Sequence, residues 1–382
     1  MNNEINTTKK LIQNFRDSIP FICELKVTEA CNMRCDYCYR EKHVGGIINV
    51  EMAESFFDEL AVYYPKPIVC SFHGGEPLVA FETLKEIVTK LNSKPYSDRL
   101  VFTVQTNGTL INDEIIDFFI ANKIGVGISV DANNDVSRKD VHGKGVFDLV
   151  NSNINKLTKN NIKVSTTCVV TKKNIESLKE YFLWCNENLI ESVSFNFARI
   201  SDKKDYLLNL VPDVDSFFEK MKELVDLQIS INSKNEHKTY IFEFANLLTK
   251  IINPFFNCFV CNSPCQAGIR IACLNVDGLL EKCDCVLGTK ENEIGMYQKG
   301  NLASLLKTSK ENNNSICHND IPKCRVCEIN KYCTYGCMAE NVIFYGNSKR
   351  NEPGKLCLYY KKMIPFLLSK IEDGIPLEYF VG

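Results

Sequence analysis

The chain has 382 residues, 45% of them hydrophobic, which is enough for a large core and suggests two domains. Its formal net charge is only −2, and charges of both signs alternate along it. The sequence therefore has no basic stripe of the kind that binds nucleic acid, and we expect no nucleic-acid partner. Because the polar start, MNNEINTTKKLIQNFRD, lacks a signal core and no apolar run could cross a bilayer, we expect a cytoplasmic protein with no membrane partner.

Six β-rich runs alternate with amphipathic helical patterns between residue 21 and about residue 200. The strand-like runs are FICELKVTE, PIVCSFHGG, LVFTVQTNG, IGVGISVD, VSTTCVVTK and SVSFNFARI. Several are apolar on both faces and each precedes a helical pattern, which indicates parallel βα units. Six units do not fill an eight-unit barrel. We therefore expect an α/β fold with a partial (β/α)6 TIM-like barrel over 21–211 and a site at the carboxyl ends of its strands.

The segments outside this barrel differ in composition. Residues 1–20 are predicted to be a tail, 212–260 a bridging helical region, and 361–382 a C-terminal helix and tail. Residues 261–360 are cysteine-dense, loop-rich and short-stranded. This composition is typical of a small α+β domain in which metals supplement the core.

Cysteine is the most informative residue type, with nineteen in the chain and twelve of them between Cys258 and Cys357. Without a secretion signal, these thiols are better explained as metal ligands than as disulfides. Soft thiolates in close sets favour iron–sulfur clusters or zinc. Four others fall within predicted strands or a helix and are expected to be core residues: Cys23, Cys70, Cys168 and Cys185.

The first strand leads into ACNMRCDYCYR, which spaces three cysteines as Cys31-x3-Cys35-x2-Cys38. Three thiolates on one loop can hold three irons of a [4Fe–4S] cubane and leave the fourth iron open. A zinc knuckle is the alternative, but zinc takes a fourth protein ligand and none is adjacent. The loop resembles that of the radical S-adenosylmethionine (SAM) superfamily. This resemblance implies that the open iron binds SAM, whose cleavage yields a 5′-deoxyadenosyl radical, and that Tyr37 lies near the adenine rather than simply packing in the loop.

The second strand-like run ends in a segment that resembles the GGEP motif of the same superfamily, with Gly74, Gly75 and Glu76. In that family the motif receives the amino group of SAM. The glycines would allow close backbone approach, and Glu76 would supply an acceptor for an ammonium group.

The third and fourth runs also end in segments that resemble SAM-flanking positions of the superfamily. The residues concerned are Thr106, Asn107, Ser129 and Asp131. Alone, each would be read as a helix cap or a turn. The family often continues the fourth segment with Asp-Gly-Pro, whereas this chain has Asp131-Ala132-Asn133-Asn134, so no role is carried over to Arg138.

The C-terminal cysteines have the spacing Cys265-x12-Gly278-x4-Cys283, then Cys324-x2-Cys327-x5-Cys333-x3-Cys337, then Cys357. This series resembles the SPASM domain, which implies two auxiliary [4Fe–4S] clusters and three clusters in total. The resemblance assigns the outer cluster to Cys324, Cys327, Cys333 and Cys357, and the inner one to Cys265, Cys283 and Cys337. Cys273 is the candidate fourth inner ligand. Cys261, or an open iron for a substrate thiolate, is the alternative.

Radical SAM proteins with a complete SPASM domain resemble peptide and protein maturases, including anaerobic sulfatase maturases and ribosomal-peptide maturases. Two auxiliary clusters suit a net oxidation. We therefore expect an enzyme that oxidatively modifies a side chain or backbone position of a peptide or protein. Asp284, next to Cys283, matches the base proposed in sulfatase maturases, although a capping residue would fit equally well.

The resemblance also implies an external electron donor such as flavodoxin or ferredoxin. Only about twenty residues precede the first strand, too few for a leader-binding core, so docking of a leader-bearing peptide would need a separate protein or the barrel and SPASM surfaces. Two other functions stay open: a small-molecule radical SAM dehydrogenase, and a non-catalytic electron-transfer or cluster-scaffold protein. The GGEP-like segment argues against a scaffold, which needs no SAM pocket.

Overall fold

The computed structural model describes residues 19–38, 45–198, 209–252, 265–284, 290–312, 321–333 and 353–381. Within these ranges ten strands form one sheet in the order β10-β9-β8-β1-β2-β3-β4-β5-β6-β7. The strands are β1 Phe21–Thr28, β2 Ile68–Gly74, β3 Leu100–Thr106, β4 Gly125–Ser129, β5 Val164–Val170, β6 Ser192–Phe197, β7 Tyr240–Ile241, β8 Ile271–Leu274, β9 Leu279–Glu281 and β10 Glu293–Met296.

Helices occupy most of the described connections. They are α1 Val50–Tyr63, α2 Phe81–Asn92, α3 Asp113–Ala121, α4 Ala132–Asp135, α5 Phe147–Lys159, α6 Leu178–Glu187, α7 Val214–Asn232, α8 Phe242–Ile252, α9 Leu302–Glu311, α10 Pro322–Arg325 and α11 Cys357–Glu372. Short 3-10 turns lie at Pro77–Ala80, Ser97–Arg99, Ile175–Ser177 and Leu377–Tyr379. No described helix has the length and apolar character needed to cross a membrane.

The strands β1 to β6 lie side by side in chain order, and every neighbouring pair is parallel. This arrangement confirms the predicted series of βα units. One face of the sheet is apolar and packs under the helices, and it contains Cys23, Cys70 and Cys168. Cys185 lies on α6, and all four of these cysteines expected in the core have no exposed surface.

The opposite face of the sheet is polar, and we call it the inner face. Hydroxyl and amide side chains of adjacent strands bond across it. Thr103 donates to Ser71 at 2.8 Å, and Gln105 Nε2 donates to Ser129 Oγ at 3.0 Å. Because side chains alternate between faces along a strand, Glu24 and Lys26 of β1, Ser71 and His73 of β2, Thr103 and Gln105 of β3 and Ser129 of β4 share this side. The motifs at the carboxyl ends of these strands therefore border the inner face.

The cysteine-rich region adds to the same sheet. β8 pairs in parallel with β1, matching Ile22 with Ile271 and Leu25 with Leu274, and β9 and β10 continue the sheet in antiparallel fashion. The two-residue β7 pairs with β6 at the other edge. These strands are two to four residues long, too short to show a periodicity in sequence, so their pairing partners were not predicted.

Candidate active site

The loop after β1 contains the three cysteines predicted to hold the first cluster. Each of Cys31, Cys35 and Cys38 is half-buried. Burial raises the pKa of the Cys31 thiol, and burial together with the charges of Cys38 and Cys31 raises the pKa of Cys35 to about 12, against the opposing effect of Arg138. A set of three soft donors on one loop fits an iron–sulfur cluster with an open iron.

A second segment, residues 135–140, lies across the cysteine loop. Lys139 and Ser137 accept backbone hydrogen bonds from Arg34 and Asp36, at 2.7 and 2.8 Å. Its anchor is Arg138, whose side chain is only 1% exposed and donates to Asp135 Oδ2 at 2.7 Å. The guanidinium also donates to the Asn107 carbonyl at 3.2 Å.

Arg138 therefore has a structural role that sequence reasoning did not assign. A charged residue three positions after Asp135, in a segment that departs from the family pattern, was the available signal.

The glycine pair at the end of β2 lets this motif approach the cysteine loop. Gly74 has a φ of +133°, and a Cβ at Gly74 or Gly75 would overlap the carbonyl oxygen of Thr28 or Ala30. Gly75 donates to Thr28 and Glu76 donates to Ala30, both at 2.8 Å. The close approach seen here is therefore between two parts of the chain itself.

Glu76 ties together the ends of β2 and β3. The residue is 1% exposed, and its carboxylate accepts from Thr106 Oγ at 2.6 Å, the Asn107 amide at 2.6 Å and the Leu78 amide at 3.0 Å. Burial raises the pKa of Glu76, although these hydrogen bonds oppose the shift. A carboxylate has about four acceptor positions, so about one remains for a ligand.

The remaining predicted cofactor residues join the same network. Asn107 Nδ2 donates to Asn32 Oδ1 in the cysteine loop at 2.8 Å, and Ser129 lies at the end of β4.

Asp131 is fully buried and accepts from the Val169 amide at 2.9 Å. Burial raises the pKa of Asp131 to about 7, although the charge of Arg138 opposes this shift. Tyr37 lies beside Asp131, and burial and the charge of Asp131 raise its pKa. We call these contacts at the ends of β1 to β4, together with the Asp135–Arg138 pair of the segment that crosses the cysteine loop, the strand-end network.

The structure also places most of the auxiliary cysteines. Cys283 follows β9, where its amide donates to Asn292 Oδ1 at 3.3 Å, and Cys265 is half-buried just before β8. Cys273 lies within β8 with no exposed surface, 4.0 Å from Asn275 Oδ1, and burial raises its pKa well above the usual value.

All four cysteines assigned to the outer cluster lie within the described residues. The Cys327 amide donates to the Cys324 carbonyl at 3.1 Å, Cys333 closes the same turn region, and Cys357 begins α11. Burial raises the pKa of Cys357, Lys361 lowers it, and the charge of Cys327 raises it further, so these two thiols are within electrostatic reach. Cys337, together with Cys258, Cys261, Cys285 and Cys317, lies outside the described residues.

Asp284 lies where β9 meets the barrel. Its amide donates to Glu24 Oε2 at 3.0 Å, and its Oδ2 lies 3.6 Å from His73 Nδ1. The side chains of His73 and Asp284 remain 25% and 18% exposed.

Burial lowers the pKa of His73, but its contact with Asp284 and the charges of Asp284 and Glu24 outweigh this and raise it. Burial and the charge of Asp284 raise the pKa of Glu24 to about 7.

Two further charges complete this region, which we call the β1–β9 junction. Lys26 Nζ lies 3.4 Å from Glu281 Oε2, with both side chains at most 5% exposed. Sequence reasoning missed Glu24 and Lys26 and gave His73 no role. The signal for Glu24 and Lys26 was present in FICELKVTE, where polar residues occupy alternate positions of an otherwise apolar strand.

Comparison with known proteins identifies the family. The model of the radical SAM superfamily matches residues 25–185. An uncharacterized protein of Methanocaldococcus jannaschii is 30% identical over 243 residues, which span 62% of this chain and 83% of that protein. The cysteine-type anaerobic sulfatase-maturating enzyme of Clostridium perfringens (strain 13 / Type A) is 26% identical over 81% of this chain and 86% of its own.

The solved structure of native anSMEcpe with bound AdoMet and Cp18Cys peptide has the same fold. Its TM-score is 0.79 at 22% identity, over 93% of this chain and 99% of that one. The fold is thus an α/β partial barrel of the radical SAM type. On the family model, the relative from Methanocaldococcus jannaschii and the cysteine loop described above, the chain belongs to the radical SAM superfamily.

Proposed function

We propose that this protein is a radical SAM oxidoreductase that oxidatively modifies a side chain or backbone position of a peptide or protein. The likeness to the cysteine-type anaerobic sulfatase-maturating enzyme supports this substrate class, since the chain spans most of that protein's length. In this proposal residues 21–211 form the catalytic barrel and residues 261–360 the auxiliary-cluster domain.

The thiols are assigned to three [4Fe–4S] clusters. Cys31, Cys35 and Cys38 would hold the SAM-binding cluster. The outer auxiliary cluster would use Cys324, Cys327, Cys333 and Cys357, and the inner one Cys265, Cys283 and Cys337 with Cys273, with Cys261 or with an open iron. When bound, SAM and its cluster would supply the radical that removes a hydrogen atom from the substrate, and the auxiliary clusters would accept the electron left behind.

The strand-end network is assigned to SAM. The residues concerned are Tyr37, Gly74, Gly75, Glu76, Thr106, Asn107, Ser129 and Asp131. Because three hydrogen bonds from the chain itself already fix the Glu76 carboxylate, this residue would meet an ammonium group in a preset orientation. The other members keep the loop and the strand ends in register with it.

One observation carries the choice of an oxidative reaction. The Asp284 carboxylate, next to Cys283, lies 3.6 Å from His73, the residue just before Gly74. A substrate radical that is oxidised must lose a proton as well as an electron. A part-exposed carboxylate at the edge of the inner face has the reach that general-base catalysis requires. We assign Asp284 as this base, with the proton passing to its side-chain oxygen.

The proposal includes partners outside the chain. Reduction of the SAM-binding cluster requires an external donor such as flavodoxin or ferredoxin, and a leader-bearing substrate would dock through a separate protein or through the barrel and auxiliary surfaces.

The test uses anaerobically reconstituted, reduced protein with SAM and peptides that contain Cys or Ser. Wild-type protein should release 5′-deoxyadenosine and convert a peptide to an oxidised or cross-linked product, read by mass spectrometry. Asp284→Asn should keep its iron and its SAM cleavage but lose product by a factor on the order of 10²–10⁴, as for a lost acid–base group.

Asp277→Asn is the matched control, because Asp277 is an exposed acid in the turn before β9 and should not affect the product. Normal turnover by Asp284→Asn would show that the base lies elsewhere. SAM cleavage that responds to a metabolite and to no peptide would contradict the substrate class.

A further inference from the structure

The β1–β9 junction joins parts of the chain that are about 250 residues apart in sequence, for example Lys26 and Glu281 with a separation of 255. Lys26 is 4% exposed and also donates to Asn275 Oδ1. Glu281 accepts in addition from Asn275 Nδ2 at 2.7 Å and from Asn292 Nδ2 at 3.2 Å. This buried ion pair with amide partners links β9 to β1, the first strand of the barrel, across the intervening β8.

Glu24 lies two residues before Lys26 and therefore points to the same face of β1. Its Oε2 accepts the backbone amide of Asp284 at 3.0 Å. Asp284 is thus held from two strands at once: β1 holds its backbone through Glu24, and His73 of β2 faces its carboxylate at 3.6 Å. The register supports this, because Lys26 and His73 are direct partners in the β1–β2 pairing.

A carboxylate is an electrostatically costly choice for this contact. Glu24 and Asp284 are two acidic residues in contact, and a negative charge on one disfavours ionisation of the other. A glutamine could accept the same backbone hydrogen bond without that cost. The arrangement does, however, fix the amide of Asp284, since Glu24 Oε2 accepts from it at 3.0 Å.

We propose that Glu24 is a positioning residue that sets the place of Asp284 on the inner face. Its carboxylate holds the Asp284 amide, and the Lys26–Glu281 pair keeps β9 close enough to β1 for this bond to form. The proposal rests on the proposed function in one respect, which is the role of Asp284 as the base.

The experiment compares two substitutions of similar size in the anaerobically reconstituted protein. Glu24→Gln keeps a side-chain oxygen that can accept, whereas Glu24→Met does not. The first readout is independent of turnover: backbone hydrogen exchange of the peptide that contains Asp284, followed by mass spectrometry. We expect Glu24→Met to accelerate this exchange by about 3- to 10-fold, as for one lost hydrogen bond, and Glu24→Gln to leave it near wild type.

The second readout is the amount of product formed per 5′-deoxyadenosine released. A misplaced base leaves SAM cleavage intact, but the substrate radical is then quenched by an electron from the reductant in the assay and a proton from solvent instead of being oxidised. We therefore expect this ratio to fall by about 10- to 100-fold in Glu24→Met, as for a displaced catalytic group, and to recover in Glu24→Gln. A global loss of stability would not change the ratio in the folded fraction.

Glu59→Ala is the matched control. Glu59, on α1, accepts the amides of Gly300 and Leu302 at 2.6 and 3.1 Å, so it also joins the barrel to the later region through a carboxylate. Glu59→Ala should loosen the contact of α1 with Gly300 and Leu302 without changing the amount of product formed per 5′-deoxyadenosine released. If Glu24→Met fails to load iron, Glu24→Ala takes its place.

The outcomes are distinguishable. Unchanged exchange at Asp284 in Glu24→Met overturns the proposal, and so does faster exchange with an unchanged product ratio. A normal ratio in Asp284→Asn instead overturns the assigned base and the proposed function, while the exchange readout still decides whether Glu24 holds the Asp284 amide.

Discussion

The strand-end network and the β1–β9 junction both bring buried charges to the polar side of the sheet, but they satisfy them in different ways. In the network, Glu76 receives three hydrogen bonds from its own chain, and Asp135 pairs with Arg138 where both side chains are at most 1% exposed. At the junction, Asp284 and His73 face each other at 3.6 Å and remain partly exposed.

This difference distinguishes charges that hold the fold in place from a charged group that a substrate can reach. Charges that are fully paired within the chain hold strand ends and loops in fixed positions, and little of their capacity is left for a ligand. A part-exposed acid beside a histidine keeps capacity to bind or take a proton. The comparison therefore predicts that damage to the network is seen mainly in stability and cofactor content, and damage to the junction mainly in the outcome of the reaction.

Replacing Cys31, Cys35 and Cys38 together by Ala should have the largest effect. Reconstituted wild-type protein should bind about twelve irons and the variant about eight, since the auxiliary clusters have their own ligands. Release of 5′-deoxyadenosine should stop, as measured by chromatography. Stoichiometric zinc without sulfide in protein isolated anaerobically would contradict the cluster assignment for both regions.

Arg138→Met should be the most destabilising single change in the network. It leaves Asp135 buried without its ion-pair partner, which costs about 3–5 kcal/mol in the free energy of unfolding. Anaerobic denaturant unfolding measures this. The double variant Asp135→Asn/Arg138→Met should recover part of the loss, because no uncompensated charge remains. Full additivity of the two single changes would show that they do not act as a pair.

Stability should also depend on pH through Asp131. Burial raises its pKa to about 7 from an ordinary value of 3.8. Between these values the folded chain keeps a proton that the unfolded chain has lost, so stability falls as pH rises through this window and is level above it. The fall should be on the order of 2–4 kcal/mol.

Asp131→Asn should remove that contribution, as seen by comparing denaturant unfolding at pH 5 and pH 8. An equal pH slope in the variant and the wild type would mean that the carboxyl is already ionised across the whole window.

Lys26→Met at the junction should cost less than Arg138→Met. Glu281 keeps its two amide donors, Asn275 and Asn292, so we expect a loss of about 1–2 kcal/mol, below the usual cost of breaking a buried pair. Unfolding under the same conditions measures it. A loss as large as that of Arg138→Met would remove the distinction between the two regions.

The sequence predicted the barrel strands and the strand-end motifs because both depend on local patterns. Strands β1 to β6 are five to eight residues long and are separated by amphipathic helices, and the ends of consecutive parallel strands must lie at one edge of the sheet. The cysteine loop, Glu76, Thr106 and Asn107 therefore come together as expected. The roles of the predicted cofactor residues and of Asp284 stay predictions.

Contacts between distant segments could not be predicted in this way. The four-residue β8 carries no period that identifies β1 as its partner, and nothing near Glu24 in sequence indicates that it will receive the amide of Asp284. The close contacts of Gly74 and Gly75 with Thr28 and Ala30 were not foreseen either, while the assignment of this pair to SAM stays a prediction. Such contacts arise from packing, which a single sequence does not report.

The pairing of β1 with β8 has a consequence for synthesis of the chain on the ribosome. Ile22 meets its partner Ile271 only after 249 further residues have been made, which takes roughly 12–50 s at about 5–20 residues per second. During that time one edge of the first strand has no neighbour, and unpaired edges invite association with other chains. Nascent chains halted before β8 should therefore aggregate or recruit chaperones more readily than chains halted after it.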